Sequence, residues 1–318
     1  MKIVILDNGS MGEDLPYESL KRYGELVIYD KTTPTEVIAR IADANVIILN
    51  KVKITREVLA TAKQLKLVCV FATGYDNIDI EAAREYGVGV CNVPGYSTDS
   101  VTLITVSTVL ALISHLYEYN RFVRSGDYSN SPYPNKIAPV FHEMQGKTWG
   151  IIGFGNIGRA VARVAEAFGA RVIVNKRTQV ADHECVDIET LCRESDIITV
   201  HCPLNDSTRG LIDRDKIALM KSGVILVNEA RGAVLNEADV TAAVKNGKIS
   251  GFGCDVYSTE PFPKSHPYYE IKDMDNVLLT PHAAWAAYEA RERCLNIIAK
   301  NIESYINRST LNRVDLIK

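Results

Sequence analysis

Three ionisable side chains follow apolar, strand-like segments in the second half of the chain. Arg231 stands in NEARG after GVILV, Glu260 in DVYSTEP after ISGFGC, and His282 in TPHAAW after NVLL. In open parallel sheets, ligands bind outside the carboxyl ends of the strands. Each residue alone is typical of surface charge or of a structural histidine. Together they offer an anion clamp, a proton donor and a group that tunes this donor.

A glycine-rich turn precedes these residues in the chain. It follows the strand-like segment TWGII and consists of Gly153, Phe154, Gly155, Asn156, Ile157 and Gly158. The first glycine permits a tight turn, the second lets the backbone approach a pyrophosphate, and the third allows close packing of the helix that follows. Because a strand precedes the turn and an amphipathic helix follows it, the pattern predicts a dinucleotide-binding site.

The next strand-like segment, RVIVN, ends in Asn175, where dinucleotide sites usually carry an acidic residue. Lys176, Arg177 and Thr178 follow. An acidic residue would repel a 2′-phosphate, whereas this basic segment would attract one, so the sequence favours NADP(H) over NAD(H). The alternative is a solvated basic turn that binds no ligand.

The strands and helices that would position these residues alternate in a βαβ pattern. β-branched runs alternate with helical patterns over residues 1–97 and again from Thr148 onward, which predicts two doubly wound parallel sheets. A helix is expected from Thr98 to Arg124, and another from Ala283 to Ile306 that packs on the first sheet. The predicted domains are therefore 1–97 plus 288–318, and an inserted cofactor domain at 98–287.

Composition limits the classes of partner. The 318 residues carry 36 basic and 39 acidic side chains, so the net charge of −3 gives no positive field for nucleic acid or an anionic membrane. Val101–Leu116 is interrupted by threonine and serine, and it is interpreted as a buried helix rather than a membrane span. No metal-ligand spacing is present, which argues against a metal-dependent hydrolase.

The seven cysteines form no C-x-x-C pair, and several lie in apolar runs. This is typical of buried free thiols in a reduced, cytoplasmic protein. The N-terminal segment MKIVILDNG lacks the layout of a signal peptide. These features favour a cytoplasmic protein whose partners are small molecules.

The sequence resembles the D-isomer-specific 2-hydroxyacid dehydrogenases over essentially its whole length. The motifs that carry the resemblance stand in the family's order: ATGYDNID (72–79), NVPGYSTDSV (92–101), GFGNIG, VNEARG, GCDVYSTEP and TPHAAW. It implies a flavodoxin-like substrate domain and a Rossmann dinucleotide-binding domain. The layout looks most like glycerate dehydrogenases, also named hydroxypyruvate reductases.

The resemblance also implies roles for individual residues. Arg231 would bind the substrate carboxylate and polarise the C2 carbonyl, and His282 would be the acid in reduction. Glu260 would pair with His282 and favour its protonated form. The backbone amides of Thr73 and Gly74 would hold the substrate carboxylate from the first domain.

Further residues are expected at the cofactor. Asp255 would accept a hydrogen bond from the nicotinamide carboxamide. The other residues that the resemblance implies at the cofactor are His201, Pro203, Glu229, Ala230 and Ala284. Because the family is commonly dimeric through the cofactor domain, a homodimer is expected, with the loop 125–140 reaching across its interface.

The expected activity is hydride transfer between NAD(P)H and a small 2-keto acid, which gives a D-2-hydroxy acid. Hydroxypyruvate and glyoxylate are the favoured substrates. Glu260 argues against formate dehydrogenases, which carry glutamine at this position. Two alternatives remain: another D-2-hydroxyacid dehydrogenase such as D-lactate dehydrogenase, and a dinucleotide-sensing protein of the corepressor type.

Overall fold

The computed structural model describes residues 1–317, which form two compact units. The first unit consists of Met1–Ser97 and the chain from Ala286 onward, and the second of Thr98–Trp285. The boundary lies two residues before the expected one. Ala286 belongs with the last long helix because its carbonyl accepts a hydrogen bond from Arg291 Nε at 3.0 Å.

Short β-branched segments form a five-stranded parallel sheet in the first unit. Its elements are β1 (Lys2–Ile5), α1 (Glu18–Lys21), β2 (Glu25–Ile28), α2 (Val37–Ile41), β3 (Val46–Leu49), α3 (Arg56–Thr61), β4 (Leu67–Val70), α4 (Ile80–Glu85) and β5 (Gly89–Cys91). The strand order is β2-β1-β3-β4-β5, which is that of flavodoxin-like folds. Thr55 and Asp79 cap α3 and α4 by accepting hydrogen bonds from first-turn N–H groups.

The second unit contains a seven-stranded parallel sheet. Its elements are α5 (Thr98–Ile113), α6 (Leu116–Arg124), β6 (Thr148–Ile152), α7 (Asn156–Ala167), β7 (Arg171–Asn175), β8 (Glu184–Cys185), α8 (Ile188–Glu194), β9 (Ile197–Val200), α9 (Arg214–Leu219), β10 (Val224–Asn228), α10 (Glu237–Lys245), β11 (Ile249–Cys254) and β12 (Val277–Leu279). The order β12-β11-β10-β9-β6-β7-β8 is the dinucleotide-binding order with one strand added at an edge. The predicted fold class is confirmed.

Apolar cores cover both faces of this second sheet. Ile151 and Ile152 are neighbours in β6 but belong to different buried clusters. Successive side chains of a strand point to opposite faces, so each face has its own core. The two cores fix the strands from both faces. Because the strands are parallel, their carboxyl ends lie at one end of the sheet, and Arg231, Glu260 and His282 follow there.

The prediction of one continuous helix from Thr98 to Arg124 is wrong in one respect, because the helix breaks at His115. His115 has a φ of 51°, a left-handed conformation that commonly ends a helix. The two parts, α5 and α6, meet at 66°. α5 packs on α7, β10 and β11, whereas α6 has no buried residue. The different surroundings of the two halves account for the bend.

Within residues 1–317, no single helix is long and apolar enough to cross a membrane. Taken together, the bent pair α5 and α6 has the length and the apolar composition of a membrane span, and this agreement concerns length and composition only.

The last long helix, α11, spans Tyr288–Ile306 rather than beginning at Ala283 as predicted. The backbone N–H groups of Ala283 and Ala284 donate to the Asp255 carboxylate at 2.8 and 2.9 Å. These bonds hold residues 283 and 284 outside the helix. α11 packs against β4 and α1 and completes the first unit.

Candidate active site

The glycine turn joins β6 to α7. Gly153 has a φ of 92°, and a Cβ there would lie 2.4 Å from the backbone nitrogen of Cys202. A Cβ at Gly158 would lie 2.4 Å from the carbonyl oxygen of Gly153, whereas one at Gly155 would have no atom within 4 Å. Two glycines therefore permit tight packing, and Gly155 leaves open space before Asn156 and Ile157, the first residues of α7. This arrangement suits backbone contact with a phosphate group.

The segment after β7 carries unneutralised positive charge. The side-chain amide of Asn175 donates to the carbonyl of Val186 at 2.9 Å and ties the end of β7 to β8. Lys176, Arg177 and Thr178 are exposed. Within residues 1–317, neither Lys176 nor Arg177 has an acidic partner at ion-pair distance.

Buried polar atoms without partners lie at the ends of the neighbouring strands. Both ring nitrogens of His201, after β9, and Oε2 of Glu229, after β10, are buried and have no hydrogen-bond partner in residues 1–317. Burial lowers the pKa of His201 to about 3, so its imidazole is neutral. Unsatisfied buried groups are costly. Together with the open space at Gly155, they fit a polar ligand such as a dinucleotide.

The remaining residues predicted at the cofactor differ in exposure. Pro203 is exposed after β9, and its carbonyl accepts a hydrogen bond from Thr208 Oγ1 at 2.7 Å. Ala230 and Ala284 are buried at 8% and 3% exposure. These two follow β10 and β12, at the same edge of the sheet as the orphaned polar atoms.

His282 and Glu260 are in direct contact. Nδ1 of His282 lies 2.6 Å from Oε2 of Glu260, and the other carboxylate oxygen accepts a hydrogen bond from the backbone N–H of Tyr257 at 3.0 Å. Both side chains are about a quarter exposed, at 24% and 28%. Nε2 of His282 has no protein partner in residues 1–317. The pair can therefore hold a proton at Nε2 and present it to a ligand.

Asp255 fixes the loop that carries His282. Asp255 is 1% exposed, and its carboxylate accepts hydrogen bonds from Thr280 Oγ1 at 2.6 Å and from the backbone N–H groups of Ala283 and Ala284. His282 between them has a φ of 55°, which is uncommon for a residue with a side chain. The three bonds determine this conformation and thereby the direction of the imidazole.

Arg231 lies next to the loop that carries Glu260. A Cβ at Gly232 would lie 2.0 Å from the carbonyl carbon of Tyr257, so this glycine lets the two loops touch through their backbones. Nη1 of Arg231 donates to the carbonyl of Ala230 at 2.8 Å, and Asn228 Nδ2 donates to the carbonyl of Arg231 at 3.0 Å. Within residues 1–317, the guanidinium has no carboxylate at ion-pair distance. It is available to an anionic ligand.

A buried network behind these loops was not predicted from the sequence. Glu237, the first residue of α10, accepts hydrogen bonds from the backbone N–H of Ser258 at 2.8 Å and from its hydroxyl. Its Oε2 lies 2.9 Å from Nε2 of His266, and both side chains are less than a tenth exposed. His266 Nδ1 accepts from the N–H of Tyr268, which leaves the proton on Nε2 facing Glu237. The only local signal was a glutamate in a helix-start position, which is ordinarily exposed.

In the first unit, Thr73 and Gly74 follow β4. Thr73 Oγ1 donates to the carbonyl of Val93 at 2.9 Å, and Asn92 Nδ2 donates to the carbonyl of Thr73 at 2.8 Å. In the described part of the chain, the backbone N–H groups of Thr73 and Gly74 have no acceptor. The same residues, 1–317, contain no cluster of histidine, cysteine, aspartate or glutamate that could hold a metal ion.

Comparison with known proteins gives the family. Residues 106–284 match the NAD binding domain of the D-isomer specific 2-hydroxyacid dehydrogenases. The chain is also 36% identical to the hydroxypyruvate reductase of Blautia hydrogenotrophica, over 99% of this chain and 100% of that protein. The chain belongs to the D-isomer-specific 2-hydroxyacid dehydrogenase family. The predicted family is confirmed, and with it an NAD-binding oxidoreductase that acts on the CH–OH group of 2-hydroxy acids.

Solved structures related to this dehydrogenase cover nearly its whole length. An acyclic imino acid reductase, Bsp5, in complex with NADPH and D-Arg has a TM-score of 0.88 and 30% identity, over 99% of this chain and 100% of that one. The D-lactate dehydrogenase of Aquifex aeolicus, in complex with NAD and lactic acid, has a TM-score of 0.87 and 28% identity over 100% of both chains. The fold thus accommodates either cofactor.

The network behind the loops leads to a first prediction. Replacing Glu237→Gln in this dehydrogenase removes the charge that faces His266 and one acceptor for Ser258. We expect a loss of roughly 1 to 3 kcal/mol in the free energy of unfolding, and a fall in kcat because Glu260 is displaced. The cofactor Kd should not change, since Glu237 lies behind the loops. Thermal melts, steady-state assays and fluorescence titration measure these three quantities.

The matched control is Glu270→Gln, because Glu270 is 62% exposed and pairs with Lys245 in the same region. We expect this variant to match the wild type in stability and kcat. A folded Glu237→Gln protein with unchanged kcat would show that the network does not position Glu260.

Proposed function

We propose that this dehydrogenase reduces a short 2-keto acid to its D-2-hydroxy acid, with hydroxypyruvate as the principal substrate and glyoxylate as the second. D-Glycerate is then the product from hydroxypyruvate. The observation that carries the proposal is the contact between His282 Nδ1 and Glu260 Oε2 at 2.6 Å. The adjoining loop carries Arg231, whose guanidinium has no carboxylate partner in residues 1–317. The similarity to the hydroxypyruvate reductase of Blautia hydrogenotrophica supports the choice of hydroxypyruvate.

The protein groups perform the proton transfer and the binding of the anion. Glu260 holds Nδ1 of His282, and Nε2 gives its proton to the C2 carbonyl oxygen of the substrate. Arg231 binds the substrate carboxylate and polarises the carbonyl with its planar guanidinium. In the first unit, the N–H groups of Thr73 and Gly74 lack acceptors in residues 1–317 and are available to bind a carboxylate. The bound cofactor supplies the hydride that reaches C2.

Residues of the second unit hold the cofactor. The turn Gly153–Gly158 and the start of α7 receive the pyrophosphate, with Asn156 and Ile157 in the first helical turn. The segment Asn175–Thr178 receives the adenosine end. The residues assigned to the nicotinamide end are His201, Pro203, Glu229, Ala230, Arg231, Asp255, His282 and Ala284.

We further propose a homodimer formed through the second unit. Apolar side chains cluster in exposed positions in and after α6, and four of them, Leu116, Tyr133, Ile137 and Val140, are between 61% and 79% exposed. Exposed apolar surface of this kind usually marks a protein interface. A cytoplasmic location is supported by the seven cysteines, all of which are free thiols.

The proton donor is tested by His282→Ala. We expect kcat for hydroxypyruvate to fall by roughly 10²- to 10⁴-fold, the usual contribution of a general acid. The cofactor Kd should stay within about threefold, because the glycine turn is unaffected. His142→Ala is the control, since His142 is an exposed histidine of the same unit. Near-normal turnover in His282→Ala would remove this residue from its role.

The substrate is tested in the same assays with hydroxypyruvate, glyoxylate and pyruvate. We expect kcat/KM to be highest for hydroxypyruvate. Preference for pyruvate would identify a D-lactate dehydrogenase instead. Cofactor binding without consumption of NAD(P)H on any short 2-keto acid would identify a dinucleotide sensor.

Cofactor preference is tested at residues 176 and 177. NADPH should be preferred to NADH, because charge-assisted hydrogen bonds to a 2′-phosphate contribute roughly 10- to 150-fold. Asn175 is left intact because Asn175→Asp would remove the hydrogen bond that its side-chain amide donates to the carbonyl of Val186. The variant Lys176→Ser with Arg177→Ser should lose this factor in kcat/KM for NADPH and little for NADH.

Arg214→Ser is the control, since the Arg214 side chain is 85% exposed and lies on α9 rather than in the segment after β7. A wild type that favours NADH, or a double variant with an unchanged cofactor ratio, would contradict the assignment.

A further inference from the structure

Two carboxyl groups stand side by side at the ends of β10 and β11. Asn228, the last residue of β10, is paired with Cys254, the last residue of β11, so Glu229 and Asp255 are the residues that directly follow the two strands. Neighbouring parallel strands lie about 4.8 Å apart, and side chains at equivalent positions point to the same face. The two carboxyl groups therefore share one face at the ligand-binding edge of the sheet.

The surroundings of the two groups differ sharply. Asp255 accepts three hydrogen bonds, from Thr280 Oγ1 and from the backbone N–H groups of Ala283 and Ala284. Glu229 is 8% exposed, and its Oε2 has no hydrogen-bond partner in residues 1–317. Its titratable neighbours are Asp255, Cys254 and Tyr257, and none is a cation. Burial, followed by the nearby Asp255 charge, raises the pKa of Glu229 to about 9.

The position of this pair indicates which part of a dinucleotide it meets. Asp255 binds the loop that carries His282, and the proton of His282 and the hydride must reach adjacent atoms of one substrate. The reactive ring of the cofactor therefore lies at this end of the site, whereas its phosphates lie at Gly153–Gly158. The polar substituent of that ring is a carboxamide, which needs one hydrogen-bond donor and one acceptor.

We propose that Glu229 works as a neutral carboxylic acid and donates a hydrogen bond to the carboxamide oxygen of the cofactor, while Asp255 accepts one from the carboxamide nitrogen. This inference rests on the proposed function. A charged carboxylate only accepts, and three of the roughly four acceptor positions of Asp255 are already used. Glu229 supplies the donor that Asp255 cannot, and the two groups together fix the ring beside His282.

Cofactor binding tests the donor. Glu229→Gln keeps a neutral donor and acceptor of the same shape, so the Kd for NADPH should stay within about threefold of the wild type. Glu229→Leu keeps the size but loses the donor, and the Kd should rise roughly tenfold. The 3-acetylpyridine analogue of the cofactor keeps the carbonyl oxygen and lacks the amide N–H. Glu229→Leu should weaken its binding by the same factor.

All Kd values come from fluorescence titration and need no turnover. A Gln variant that binds as weakly as the Leu variant would mean that Glu229 acts as a carboxylate. A Leu variant that binds as tightly as the wild type would mean that Glu229 does not contact the cofactor. If the Leu variant does not fold, the Gln variant and the following measurement still decide.

The protonation state is tested by the stability of the cofactor-free protein from pH 5 to pH 9. The folded protein holds a proton on Glu229 that the unfolded chain releases, so this stabilisation is lost as the pH rises toward about 9. The Gln variant lacks this loss, and its Tm should rise relative to the wild type as the pH increases. A constant Tm difference would overturn the proposal. Absence of reductase activity alongside both expected results would instead reject the proposed function.

Discussion

The candidate active site depends on the hydrogen bonds that the buried carboxylate of Asp255 accepts. Asp255 is 1% exposed, and burial of an unpaired carboxylate is strongly unfavourable. Its three hydrogen bonds all come from residues 280–284, the segment that follows β12. This one interaction orders the loop, keeps Ala283 and Ala284 out of the helix α11 and imposes the left-handed conformation of His282. The direction of the candidate proton donor is set by Asp255 before any ligand binds.

The neighbouring loops are joined to this centre by further backbone contacts. Gly232 allows the loop of Arg231 to touch the loop of Glu260, and Glu237 binds the N–H of Ser258 from behind. Glu260 then reaches His282. The loops that follow three successive strands are thus linked by the close packing at Gly232 and by the contacts of Glu237 and Glu260. Such preorganisation lowers the cost of bringing the reacting groups together.

Sequence periodicity was sufficient to predict most of the fold. The β-branched runs marked eleven of the twelve strands, and the missed strand, β8, has only two residues at the sheet edge. The spacing of apolar residues does not indicate where a single residue adopts the left-handed conformation, so the break at His115 was not predicted. The start of α11 was placed too early because Ala283 and Ala284 favour helix, and a distant carboxylate takes their N–H groups.

The candidate site was predictable where a residue follows a strand end. Arg231, Glu260 and His282 were found in this way, and the structure places Glu260 against His282. The contacts of Glu237 with Ser258 and His266 join segments that are distant in the chain, so no local pattern reveals them. Asp255 accepts three hydrogen bonds whereas Oε2 of Glu229 has no partner in residues 1–317, and this contrast likewise depends on which donors the fold brings to each carboxyl group.

The most direct test of the role of Asp255 is kcat for hydroxypyruvate reduction in Asp255→Asn, measured at saturating cofactor and substrate. Asparagine keeps the size but cannot accept all three hydrogen bonds. We expect the protein to remain folded and kcat to fall by roughly 10²-fold, the usual cost of misplacing a reacting group by about 1 Å. A folded Asp255→Asn protein with kcat within about twofold of the wild type would contradict the claim that Asp255 sets the position of His282.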